Sequence, residues 1–127
     1  IAHMQIEAIG IDILKKMVGN SVGNLKYYNL KGLVVNGDIN DIKNYKFKAI
    51  VTDPPYGLST TTKGEGVKEL MSRSMEIFRN TMKKEQRVVM AVSNPKLINL
   101  KDFTLIHKFE WYIHKSLTRY ILVLERN

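Results

Sequence analysis

The segment Thr52-Asp53-Pro54-Pro55-Tyr56-Gly57 closes an apolar run at 47–51 that reads as a buried strand. Neither proline can donate to a strand ladder, so the chain must leave a sheet here. A residue that precedes proline is driven to an extended conformation, which holds both Asp53 and Pro54 stiffly. The turn therefore carries a rigid set of acceptors, the Asp53 carboxylate and the Pro54 carbonyl, which has no ladder partner. Tyr56 adds a ring able to lie flat against something planar. Those parts suit methylation of an exocyclic amine on a nucleobase, whose lone pair is delocalised into the ring. Two acceptors gripping its N–H bonds would draw the nitrogen toward tetrahedral geometry and free the lone pair. The aromatic ring would hold the base by stacking. The same letters also serve a plain diproline turn with Tyr56 packed on the surface, so the surrounding elements must decide.

Short apolar strands are expected at 6–11, 32–37, 47–51 and 87–92, and two longer β-rich runs at 103–113 and 117–124. Leu14, Met17, Val18, Val22, Leu25 and Tyr28 fall on one face of a helix over 13–28. Val67, Leu70, Met71, Met75, Phe78 and Met82 share one face of a second helix. Residues 39–45 offer one or two helical turns, and the polar, glycine-containing stretch 58–66 reads as a loop. Strand–helix alternation that closes in two consecutive strands predicts an α/β sheet, mostly parallel, with an antiparallel strand pair at the C-terminal end.

Ligands of such sheets bind beyond the carboxyl ends of the strands. Asp12, Asp38 and Asp53 each end a predicted strand, and Ser93-Asn94-Pro95 ends a fourth, which places three acids along one rim. Asp12 could accept both hydroxyls of a ribose, or cap the helix that follows it. Asp38 could accept from the N6 amine of an adenine, or shape a turn. Ile13 and Ile39, each next to one of these acids, could flank the adenine ring or fill core.

Length and composition bound the reading. At 127 residues the chain has room for one domain with a real core. Hydrophobic content of 44% and charged content of 25% are ordinary for a globular chain. No apolar run approaches a membrane span, and no signal-peptide pattern is present. The absence of Cys removes disulfides, thiolate ligands and Cys nucleophiles, and fits an intracellular protein. His3, His107 and His114 show no metal-ligand spacing, so no metal site is expected. The net charge of +8 suits a polyanionic partner such as nucleic acid.

The Asp-Pro-Pro-Tyr motif resembles the catalytic motif of amino-directed, S-adenosylmethionine-dependent nucleic-acid methyltransferases. The order strand-Asp12, strand-Gly37-Asp38, strand-Asp53-Pro54-Pro55-Tyr56 resembles the second to fourth motifs of a class I methyltransferase domain. A Ser/Thr-Gly loop after Gly57, and His114-Lys115-Ser116-Leu117-Thr118-Arg119, are similar to the archaeal tRNA guanine-N2 methyltransferases. Those enzymes modify the guanine at position ten and carry an N-terminal THUMP RNA-binding domain. Leu58 and Tyr120 depart from that pattern, where a basic residue and a His are expected. The resemblance covers residues 8–124. It implies catalysis by Asp53, Pro54, Pro55 and Tyr56, and S-adenosylmethionine held by Asp12, Ile13, Asp38, Ile39 and Asp53. It implies tRNA contacts at Tyr56, Gly57 and Arg119, and a cytoplasmic enzyme; Lys63, by its place in the loop beside the diproline turn, could meet a phosphate near the target base.

The implied Rossmann-like fold is incomplete, because nothing before Ile6 resembles the first strand and its glycine-rich loop. On that reading residues 1–127 form one partial catalytic domain, inactive by itself, and residues 1–5 are the tail of the helix after that loop. A DNA adenine-N6 or cytosine-N4 methyltransferase shares the diproline motif. A non-catalytic nucleic-acid-binding module of the same fold is the alternative from another class.

Overall fold

A computed structural model describes residues 1–56 and 66–127. They form two compact units, Ile1–Tyr45 and Lys46–Asn127. In the first, β1 (Ile9–Asp12) and β2 (Leu33–Asn36) pair in parallel, Ile9 opposite Leu33 and Asp12 opposite Asn36, joined by α1 (Lys15–Tyr27). Both strands are shorter than the apolar runs predicted, since only four residues of each find a partner. The helix closes on Asn29 in the left-handed region (φ 51), with Leu30 N–H donating to the Leu25 carbonyl and Asn29 N–H to that of Lys26. This return satisfies carbonyls that would otherwise be orphaned at the helix end. The predicted apolar stripe is present, but no residue of α1 is fully buried. A two-stranded sheet offers too little area to cover it, and Met17 stays exposed.

The turn after β2 is built around a reciprocal cap. The Asp38 carboxylate accepts from Asn40 N–H at 3.0 Å, and the Asp41 carboxylate accepts from Asp38 N–H at 2.8 Å, starting the 3-10 helix Ile39–Asn44. Gly37 lies so close to this cap that an added Cβ would stand 2.6 Å from Asp41 Oδ2. Gly37→Ala should therefore break the cap, lowering stability by about 1 kcal/mol. Asp41→Ala should cost a similar amount, and the double variant no more than Asp41→Ala alone, because Ala at 37 then meets nothing pinned in place. Urea unfolding of the three variants checks this; strictly additive losses would rule out the steric link.

The second unit is a four-stranded sheet in the order β3-β4-β6-β5. β3 (Ala49–Thr52) pairs in parallel with β4 (Arg87–Val92), and α2 (Val67–Thr81) lies between them in sequence. β6 (Leu117–Arg126) runs antiparallel to both β4 and β5 (Phe103–His114). The mixed sheet, parallel first and closed by an antiparallel pair, is the predicted arrangement. Val88 and Met90 of β4 stand opposite Leu124 and Leu122 of β6, so the four share one sheet face, and all are buried. With Met71, Met75 and Phe78 from the predicted face of α2 they make up the core of this unit. Pairing of β4 with β6 stops at Val92–Tyr120, while β5 and β6 stay paired as far as His114–Leu117. The end of β5 and the start of β6 thus continue as a two-stranded ribbon, exposed on the β5 side. No described helix is long and apolar enough to cross a membrane.

Candidate active site at the carboxyl end of strand β3

β3 stops at Thr52, and Asp53 to Tyr56 leave the sheet without regular structure, as the two prolines require. Pro54, Pro55 and Tyr56 line one small space together with Val67 and Met71 of α2 and Asn94 beyond β4. The space left among them is about 10 Å³, no more than one water needs. The turn therefore lies beside the first turns of α2 and the end of the neighbouring strand. Asn94 is itself fixed, its side-chain oxygen accepting from Lys96 N–H at 3.1 Å.

Because β4 runs parallel to β3, both carboxyl ends lie on one rim. β6 runs the other way and pairs Tyr120 with Val92, so the residue before Tyr120 reaches the same rim. That residue is Arg119. Its Nη2 lies 3.9 Å from Asp53 Oδ2. The guanidinium carbon stands 5.3 Å from the centre of the Tyr56 ring and 5.6 Å from that of Trp111. Trp111 is directly opposite Arg119 in the β5–β6 ladder. The Tyr56 hydroxyl donates to Asp53 Oδ1. Asp53, Tyr56, Arg119 and Trp111 therefore form one cluster, of which the first three are expected from the sequence.

Partial burial pushes the Tyr56 phenol up to about 12, helped by its hydrogen bond to Asp53 and by that carboxylate's charge, while Arg119 pulls the other way. The hydroxyl is thus a donor, not a phenolate, throughout the physiological range. The difference in phenolate absorbance between the protein and its Tyr56→Phe variant, followed with rising pH, should show a single step near 12. A step near 10, the ordinary tyrosine value, would mean that the contact with Asp53 does not form in solution. Since the native value is the higher one, the stabilisation tied to this proton is whole below about pH 10 and is lost as pH rises through 12.

In the first unit, Asp12 is the last residue of β1, and Asp38 stands two residues beyond the end of β2. Asp12 Oδ1 accepts from Leu14 N–H at 2.7 Å, ahead of α1, and Asp38 caps the 3-10 helix. Asp38 is thus a cap, whereas Asp12 is not the expected one: the helix starts later than predicted, its N-cap is Leu14 with no side-chain bond, and Asp12 only shapes the turn ahead of it. A carboxylate has roughly four acceptor positions, so the bond from Leu14 leaves Asp12 room for a ligand's donors. Asn36 ties the rim together, its side-chain amide donating to the carbonyls of Asp12 (3.0 Å) and Ile13 (3.1 Å). Ile13 is exposed and Ile39 half-buried. Gly57 and Lys63 lie outside the described residues.

Three residues here escape sequence reasoning. Asp41 is signalled by the spacing Asp38-x-x-Asp41, a variant of the capping box. Asn36 and Trp111 carry no local signal, because their places depend on strand pairing.

The sequence matches the family model UPF0020, the RMKL-like methyltransferase domain, over residues 2–115. The chain belongs to this methyltransferase family. It is 41% identical over 136 residues to a probable tRNA (guanine(10)-N2)-dimethyltransferase of Methanothermococcus thermolithotrophicus, covering 97% of this chain and 77% of that protein. It is 32% identical to the tRNA (guanine(10)-N2)-dimethyltransferase of Methanothermobacter thermautotrophicus, again over 97% of the chain but only 38% of the relative's length. Among solved structures, TrmN from Thermus thermophilus superposes with a TM-score of 0.76 at 17% identity, covering 94% of this chain and 36% of that one. The expected α/β, Rossmann-like methyltransferase fold is thereby borne out. In this methyltransferase family member, the diproline turn and Arg119 lie together at the carboxyl end of β3.

Proposed function

We propose that the protein transfers a methyl group from S-adenosylmethionine to the N2 amine of guanine in tRNA, at position ten. The observation that carries this reading is the Asp53–Tyr56–Arg119 cluster beyond β3, in a chain 41% identical to a probable enzyme of that specificity. The target base leaves its stack, as it must for any enzyme acting on a base edge. The Asp53 carboxylate and the Pro54 carbonyl accept the amine's two N–H bonds, and the Tyr56 ring supports the base. Tyr56 remains protonated, so its hydroxyl exchanges Asp53 Oδ1 for another acceptor as the amine arrives. Once the new N–C bond forms, the excess proton on nitrogen passes to Asp53, whose exposed side chain hands it to water.

The residues at the rim of the first unit fit the adenosine part of the cofactor, since Asp12 and Asp38 are acceptors at adjacent strand ends. Asp12 would take the ribose hydroxyls, Asp38 the adenine amine, and Ile13 and Ile39 would flank the ring. The bound cofactor supplies the electrophilic methyl group. A THUMP-type RNA-binding domain elsewhere in the protein and a cytoplasmic place of work belong to the same proposal, and the charge of +8 supports a polyanionic substrate.

The test is nucleoside analysis of unmodified tRNA treated with the intact protein and methyl-labelled S-adenosylmethionine. Label in N2-methylguanosine or N2,N2-dimethylguanosine is the expected result. Label in N6-methyladenine, or uptake only with DNA, moves the protein to the DNA amino-methyltransferases.

A further inference from the structure

We infer that Arg119, shelved on Trp111, reads the target base by donating to guanine O6 while Asp53 accepts from N1–H and N2–H. The inference rests on the guanine-N2 reading above and assigns Trp111 a positioning role within it. The packing of Arg119 is well defined and its hydrogen bonding is not. Its guanidinium lies over two rings, yet the buried Nε has no hydrogen-bond partner among the described residues. At 3.9 Å the approach of Nη2 to Asp53 is an ion pair too long for a hydrogen bond. Nε is closed off beneath the rings, so the part of the side chain that can meet a ligand is its outer edge, where Nη2 stands beside Asp53 in a side chain 26% exposed. An ion pair with an exposed carboxylate contributes little stability and does not account for the arrangement.

The chemistry of an acceptor that the Nη donors would meet follows from their neighbour Asp53. The pairing edge of guanine presents N2–H, N1–H and O6 in order: donor, donor, acceptor. A carboxylate beside a guanidinium is the complement of that edge. Arg–O6 pairing is among the commonest ways in which proteins single out guanine. Adenine puts an amine where O6 stands and has none at C2, so Arg119 would face a donor and Asp53 would have no amine to hold. Trp111 is 55% exposed on the ribbon. It does not fill the core, but it sets the height of the guanidinium above the rim, and stacking suits Arg better than Lys at such a place.

The test is single-turnover methyl transfer by the intact protein to tRNA carrying either guanosine or 6-thioguanosine at the target. The thio base keeps N1–H and the 2-amine and replaces O6 with a weakly accepting sulfur. The wild-type protein should prefer guanosine by about tenfold, in the range set by one charged base contact. Arg119→Ala should slow the guanosine reaction by a similar factor and bring the ratio of the two substrates to within about twofold of one. Arg119→Lys should recover part of the ratio, and Trp111→Ala should lower it, with Trp111→Phe in between. A wild-type ratio near one overturns the contact with no variant needed, and so does a ratio that Arg119→Ala leaves unchanged. If guanosine takes up no methyl at all, the guanine reading falls instead, and the contact falls with it.

Discussion

Asp53→Ala should abolish methyl transfer, lowering the single-turnover rate of the intact protein by at least about 100-fold, while cofactor affinity changes little. A positioned group that acts on charge developing in the transition state commonly contributes several kcal/mol, equivalent to about 10²–10³ in rate. Asp53 is placed for that role by three features. β3 ends one residue before it, Pro54 stiffens it, and Arg119 stands at 3.9 Å. Asp53→Asn keeps the shape and one acceptor oxygen, so it should retain more activity than Ala. Rates from rapid quench and cofactor binding by calorimetry separate the two effects. A variant that turns over within a few-fold of the parent would remove Asp53 from the chemistry.

Tyr56→Ala should weaken productive binding of the base by about 1–3 kcal/mol, or 5–150-fold, the size of one lost aromatic–base stack. The effect should appear in the tRNA concentration dependence of the single-turnover rate more than in its plateau. Tyr56→Phe keeps the ring and loses only the hydroxyl that donates to Asp53, so it should bind base nearly as well as the parent. Equal losses in Ala and Phe would shift the role of Tyr56 from its ring to its hydroxyl. Single-turnover kinetics unchanged in Tyr56→Ala would exclude both roles.

What the sequence made readable was whatever depends on neighbours along the chain. The stiffness of Asp53 and Pro54 follows from Pro54 and Pro55 themselves. The buried face of α2 follows from the spacing of Met71, Met75 and Phe78. β4 runs from Arg87 to Val92 as predicted, because its alternation with buried partners is complete. The two long β runs each extend further than predicted, to His114 and Arg126, because pairing to one another carries polar residues into the ladder. Trp111 could not be singled out, since its importance comes from a register that sets it across from Arg119. The same holds for the hydroxyl of Tyr56, whose donation to Asp53 has no signal along the chain. α1 shows the opposite failing. Its periodicity promised a buried face, but a two-stranded sheet leaves that face half covered. Amphipathic spacing states what a helix can bury, and the area of the neighbouring sheet decides how much it does.

The central claim is that the methyl acceptor is the 2-amine of one guanine in tRNA. Replacing that guanosine by inosine removes the 2-amine and keeps O6, N1–H and the shape of the ring. Methyl uptake from labelled S-adenosylmethionine should fall to background on the inosine tRNA, while its binding to the protein stays within a few-fold of the guanosine tRNA. Undiminished uptake on the inosine tRNA would contradict the claim, because the atom proposed to receive the methyl group would no longer be there.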